Sequence, residues 1–173
     1  MKTKLNYMDT SESAQIDGLT EVLVKINRSA AVVKGGRRFS FSALSIAGNR
    51  DGIVGHGFGK ARQVPAAIEK AAKDARKHLM RVPLNQDGTI PHEVTGRFCG
   101  AVIRMLPASA GTGIIAGASV RNVCEMAGVK NILTKSYGSN NPINLTKATF
   151  HALSQLRTPE EIASLRNVDV SVG

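Results

Sequence analysis

From Leu19 onward the side chains alternate. Val22, Val24 and Ile26 share one parity, and Leu23, Lys25 and Asn27 the other. A period of two predicts a strand running towards Val33. Lys34-Gly35-Gly36-Arg37-Arg38 then reads as a tight hairpin turn with cations around it, because paired glycines supply the backbone angles such turns need. Phe39, Phe41, Ala43 and Leu44 open a second strand, Gly48 to Gly52 make the next turn, and Ile53 to Gly59 form a third strand. Every second residue of that strand is glycine (Gly55, Gly57, Gly59), so one face is nearly bare. Something must approach the backbone closely there, and RNA or a second domain is the expected neighbour.

The period then lengthens. Pro65 suits a first helical turn. Ile68, Ala71, Ala72, Ala75 and Leu79 mark one helical face, and Lys70, Lys73, Lys77 and Arg81 mark another. The first unit is thus three strands and a basic helix ending near Pro83, with Asn85 to Gly88 as a linker. Two strands follow, near Ile90–Thr95 and Ala101–Leu106, then a glycine-rich loop from Pro107 to Gly117. Val120, Val123, Cys124 and Ala127 give a short helix stopped by Gly128. Ile132–Tyr137 reads as a strand, Asn141-Pro142 starts a helix to about Leu156, and Thr158-Pro159-Glu160-Glu161 is a capping box. The fold class is α+β, with domains at 19–84 and 89–165. Residues 1–18 are polar and aperiodic and are expected to be a mobile tail, and 166–173 is a second tail.

Charge sharpens this division. The 173 residues carry a formal +10. Residues 19–84 hold 13 Lys/Arg against Glu21, Asp51, Glu69 and Asp74, net +9, whereas residues 85–173 carry only +2 and residues 1–18 carry −1. A field of that sign concentrated in one unit attracts a polyphosphate backbone; the bland alternative is a solubilising surface. Cys99 and Cys124 show no CxxC spacing and suit buried thiols in a reducing compartment. The chain shows no apolar signal region and no run of 18 apolar residues, so neither secretion nor membrane spanning is expected.

Catalytic motifs fail on inspection. A phosphate-binding P-loop needs Ser or Thr after Gly-Lys, but Gly59-Lys60 is followed by Ala61. Gly111-Thr112-Gly113-Ile114-Ile115-Ala116 matches a dinucleotide loop, yet Lys130-Asn131-Ile132 stands where an acidic ribose ligand belongs. Pro107 to Gly111 loosely resembles the phosphate loop of small-molecule kinases of the galactokinase type. Ile114 and Ile115 cannot ligand anything there, and a tight strand-to-helix turn is the better reading. His56, His78, His92 and His151 are scattered without metal-ligand spacing, and no nucleophile elbow exists. No enzyme activity, cofactor or metal is expected. Two Tyr and five Phe in the whole chain are too few for a base-stacking platform. Cations, amides and close-approach glycines suit contact with the backbone and grooves of structured RNA. The candidate RNA-binding set is therefore Arg28, Lys34, Gly35, Gly36, Arg37, Arg38, Arg50, Gly55, Gly57, Lys60, Arg62, Lys70, Lys73, Lys77 and Arg81.

Ordered blocks extend this reading. Val33-Lys34-Gly35-Gly36-Arg37 with Phe39-Ser40-Phe41, Gly52-Ile53-Val54-Gly55-His56-Gly57-Phe58-Gly59-Lys60-Ala61 and Val64-Pro65-Ala66-Ala67-Ile68 resemble the bacterial small-subunit ribosomal protein five family. Gly111 to Gly117, Arg121, Glu125, Gly128, Lys135, Gly138 to Asn144 and Ala148-Thr149 continue the resemblance to about Glu161. Gln63, Arg38 and the segment after Arg166 depart from it. The resemblance implies a first domain like the double-stranded RNA-binding fold without its leading helix. It implies a second α/β domain with a left-handed βαβ crossover. It implies a cytoplasmic place on the small ribosomal subunit, near the channel by which messenger RNA enters. The implied partners are ribosomal RNA and ribosomal proteins four and eight, with a role in translational accuracy, and Gly113 and Arg121 are the implied protein-interface residues. A free duplex-RNA-binding regulator is the alternative.

Overall fold

The computed structural model describes residues 7–8 and 18–167. The first half runs β1 (Thr20–Val33), β2 (Gly36–Gly48), β3 (Ile53–Ala61), α1 (Val64–Lys77) and β4 (Leu79–Arg81). Its antiparallel sheet has the order β1-β2-β3-β4. The second half runs β5 (Val94–Phe98), β6 (Ala101–Pro107), β7 (Ile114–Ile115), α2 (Ala118–Ala127), β8 (Ile132–Gly138), α3 (Pro142–Leu153) and α4 (Pro159–Arg166). Its sheet has the order β5-β6-β8-β7, with β7 and β8 parallel and joined through α2 as a βαβ unit. The α+β class and the sheet-and-helix halves stand as expected.

Four elements differ from the sequence reading. The first sheet has four strands, not three. Leu79 and Met80 are both buried although adjacent, which a strand allows because its neighbours face opposite ways. The helix therefore stops at Lys77, and Arg81 sits on β4. The expected strand at Ile90–Thr95 lies instead at Val94–Phe98, and Ile90 is buried outside any strand. Ile114 and Ile115 form β7 within the expected loop. The predicted caps are in place. Thr158 Oγ1 accepts from the Glu161 N–H at 3.2 Å, the Glu161 carboxylate accepts from the Thr158 N–H at 3.3 Å, and Gly128 closes α2 at φ +86°.

The bare glycine face of β3 lies under α1. A Cβ at Gly57 would overlap the Ala71 oxygen and the Ala75 nitrogen, and one at Gly59 would overlap the Ala67 oxygen and the Ala71 nitrogen. The close neighbour is the same unit's helix, neither RNA nor the second half. The opposite face of the sheet meets the second half. Ile46, Val54 and Met80 share one core with Val120, Met126 and Phe150. Backbone bonds from Arg50 N–H to the Met126 oxygen (3.0 Å) and from Gly52 N–H to the Ala127 oxygen (2.9 Å) fasten the two halves.

Two expectations concern the termini. Tyr7 and Met8, placed by sequence in the mobile tail, are docked: the Met8 N–H donates to the Leu79 oxygen at 2.8 Å, and the Tyr7 ring lies 5.0 Å from that of His78. The rest of the expected tail up to residue 17, and residues 168–173, lie outside the described residues.

Candidate nucleic-acid interface

β1 and β2 stay paired out to Val33 and Gly36, but β3 accompanies β2 only between Phe41 and Gly48. The tip of the hairpin is thus a two-stranded arm reaching about 20 Å past its sheet, at about 3.4 Å per residue. Both strands of the arm are exposed. Gly35 takes φ +93° at the turn, as the sequence required. Two local bonds stiffen the arm: the Arg28 guanidinium carbon lies 3.6 Å from the centre of the Phe39 ring, and Ser29 Oγ donates to the Ser40 oxygen at 3.2 Å. Register puts Arg28 and Arg37 on one face and Arg38 on the other, with Lys34 at the tip. From Val22 to Arg50 the chain holds Lys25, Arg28, Lys34, Arg37, Arg38 and Arg50 and no carboxylate.

A second basic group lies where β3 passes into α1. Ser40, Lys60, Arg62, Gln63, Ala66 and Lys70 line a recess of about 570 Å³. Gln63 caps α1 without a side-chain bond, and no acidic residue occupies its first turn. The free N–H groups and the positive end of the helix dipole therefore add to the cations. Lys70 Nζ donates to the Lys60 backbone oxygen at 3.4 Å, which ties the Lys70 side chain to the end of β3.

The helical stripe is narrower than its periodicity suggests. Lys73 is bonded to Glu69 at 2.7 Å, and that bond holds the Glu69 carboxyl below its ordinary range. Lys70 and Lys77 remain exposed on the helix, while Arg81 has left it. Arg50 stands apart from the arm, at the other end of β2 about 40 Å away at the usual strand rise. It has φ +58° in a turn that Asn49 Oδ1 ties by accepting from the N–H groups of Asp51 and Ile53. Gly55 and Gly57 are buried beneath α1, so their backbone is spent on packing and the reading of both as RNA contacts is corrected.

In the second half, Arg121 is exposed on α2, with its guanidinium 3.5 Å from the Ala116 oxygen. Gly113 sits at φ +72° at the start of β7, and its N–H donates to Asn131 Oδ1 at 3.1 Å. Arg121 lines a groove of about 300 Å³ with Ile115, Gly117, Thr134 and Lys135, and Gly113 lies outside it. Ile114 and Ile115 are sheet residues, so the segment expected to be a tight strand-to-helix turn contains a short strand.

Sequence reasoning missed Asp74, whose carboxylate accepts from the Phe58 N–H at 2.9 Å and ties α1 to β3. It also missed the cluster around His56, which is 7% exposed. The ring of His56 lies 4.5 Å from that of Phe150 and 5.9 Å from that of His78. Burial foremost, then His78 and Lys147, lowers its pKa to about 4. Only contacts between distant segments create that site, so no local signal marks it. Of the two cysteines, Cys124 is buried, with burial pushing its thiol up to about 12, and Cys99 is exposed, against the expectation that both are buried. Among the described residues no group of three or more His, Cys, Asp and Glu side chains is placed to hold a metal, and no helix is long and apolar enough to cross a membrane.

The fold and its charges define a class: a basic two-sheet protein with a cationic arm and a cationic recess in its first half. Comparison with known proteins makes it particular. Residues 19–83 match the family described as ribosomal protein S5, N-terminal domain, and residues 96–166 match ribosomal protein S5, C-terminal domain. The chain is 56% identical over 152 residues to small ribosomal subunit protein uS5 of Rhodopirellula baltica, covering 88% of this chain and 85% of that protein. It is 52% identical over 159 residues to the proteins of the same name from Shewanella baltica and Shewanella oneidensis, covering 92% of this chain and 95% of each relative. The chain belongs to the ribosomal protein S5 family, a family of structural and non-enzymatic components of the small ribosomal subunit.

Proposed function

We propose that the first half grips small-subunit ribosomal RNA on the cytoplasmic ribosome, chiefly through the β1–β2 arm, while the second half meets neighbouring ribosomal proteins. The observation that carries this reading is the arm. An exposed two-stranded ribbon with Arg28, Lys34, Arg37 and Arg38 and no carboxylate has little reason to project into water. Isolated hairpins are marginal, and a phosphate-lined groove supplies both the counter-charge and the support. The recess at Lys60, Arg62 and Lys70 is the second phosphate contact. Lys77 and Arg81 extend it along the same half, and Lys73 is the weakest member because Glu69 already holds it.

Ribosomal proteins four and eight are the neighbours that the family resemblance supplies for the second half. The exposed Arg121 supports a contact of that kind, since an outward guanidinium can pair a carboxylate bidentately. The arm would lie near the path of messenger RNA, and the Gly113–Arg121 segment would influence accuracy if its boundary opens during decoding. Co-sedimentation of the purified chain with small subunits lacking it, at moderate salt, tests the reading. Binding should be saturable and should be lost when residues 29–40 are replaced by a short turn. Undiminished binding by that variant would show that the arm is not the grip.

A further inference from the structure

The second sheet has two faces, and among the described residues only one is covered. Gly96 faces α3 so closely that a Cβ there would overlap the Ala148 oxygen, and Ile103, Met105 and Ile132 are fully buried on the same side. The other face is set out in three rows by the register. Arg97, Val102 and Tyr137 form the first; Thr95, Arg104 and Lys135 the second; Leu106, Leu133 and Ile115 the third. Tyr137 is 52% exposed, Ile115 49% and Leu133 41%. An aliphatic row is therefore held open to solvent beside a cationic one. The only acidic side chain bonded to these cations is Glu93, at 2.7 Å from Arg104, which leaves Arg97 and Lys135 without a carboxylate among the described residues.

The composition chooses the occupant. RNA would satisfy the cations but would bury Leu106, Leu133 and Ile115 against phosphate and sugar, and one tyrosine is a poor stacking platform. A second copy of the chain would set Arg97, Arg104 and Lys135 against themselves, and like charges across an interface are costly. A protein surface with an aliphatic centre and carboxylates beside it fits both rows. We infer that the outer face of the second sheet is a docking surface for an acidic protein partner, which seats aliphatic side chains on Leu106, Leu133 and Ile115 and sets carboxylates against Arg97 and Lys135.

This inference rests on the proposed protein-binding role of the second half, but it is independent of the arm. The full chain with benzoylphenylalanine in place of Tyr137 is assembled into small subunits, irradiated, and the cross-linked products are identified by mass spectrometry. The expected product joins position 137 to a peptide of another protein in which Asp and Glu outnumber Lys and Arg. Adding Lys135→Glu should reduce that product at least tenfold, while the circular dichroism melt of the free chain and its binding to small-subunit ribosomal RNA stay unchanged. Cross-links to RNA, to residues 168–173 of the same chain or to a second copy would each overturn the inference. So would the absence of any product in subunits that contain the chain, or an undiminished product with Lys135→Glu. A chain that fails to enter subunits although its arm is intact, and no longer binds the RNA, would instead count against the proposed RNA role.

Discussion

At Gly57 one hydrogen atom decides whether α1 can lie on β3. The helix backbone of Ala71 and Ala75 occupies the place of a side chain, so Gly57→Val must separate helix from sheet. It should cost about 3 kcal/mol, the upper part of the overpacking range, and urea unfolding of the free chain measures it. The glycine pattern was legible in sequence as a demand for close approach, but not the identity of the visitor. Residues 55–59 and 67–75 are joined by topology, and the alternating glycines carry no sign of what covers them. His56 gives a second test at this scale. Its pKa falls from 6.5 to about 4 in the folded chain, so the unfolded chain binds the extra proton first. Stability is then whole above pH 6.5 and drains away as pH falls from there towards 4, by about 3 kcal/mol at 1.36 kcal/mol per unit. His56→Leu should flatten that stretch of the stability–pH curve, and an equal slope in the variant would remove His56 as its source.

Elements were legible where one period ran long enough. β1, β2, β3, α2 and α4 lie close to where alternation, caps and stops put them. β4 was hidden because Leu79 continues the helical spacing of Ala75, and only the chain's exit at His78 turns the next residues into a strand. β7 was hidden by its length, two residues in a glycine-rich loop. The same blindness affected the candidate site. Spacing showed four cations in a helical stripe, but Glu69, four residues before Lys73, already engages one of them, and Arg81 belongs to another element. The helix therefore yields a split expectation. Lys70→Ala should lower the salt slope of ribosomal RNA binding by roughly 0.7–0.9, the share of one phosphate contact, whereas Lys73→Ala should leave it nearly unchanged. Filter binding across a salt series reads both.

Over the whole molecule the two halves behave as one packed body. The sequence reading divides them at residues 85–88, and the family domains divide between 83 and 96, yet Phe150 of α3 packs against His56 of β3 in a shared core. Phe150→Ala should therefore destabilise both halves together by about 3–5 kcal/mol, with a single unfolding transition that different probes report alike. This rigidity suits a scaffold: on the proposed function, a grip on RNA by the first half would also fix the position of the second sheet. On the proposed function the β1–β2 arm is the grip. Its most direct test is the salt dependence of binding to small-subunit ribosomal RNA, comparing the chain with a variant in which Arg28, Lys34, Arg37 and Arg38 are all alanine. The expected slope is smaller by about 3, from four phosphate contacts at roughly 0.7–0.9 each, with the thermal melt of the free chain unmoved. An unchanged slope in a folded variant would contradict it.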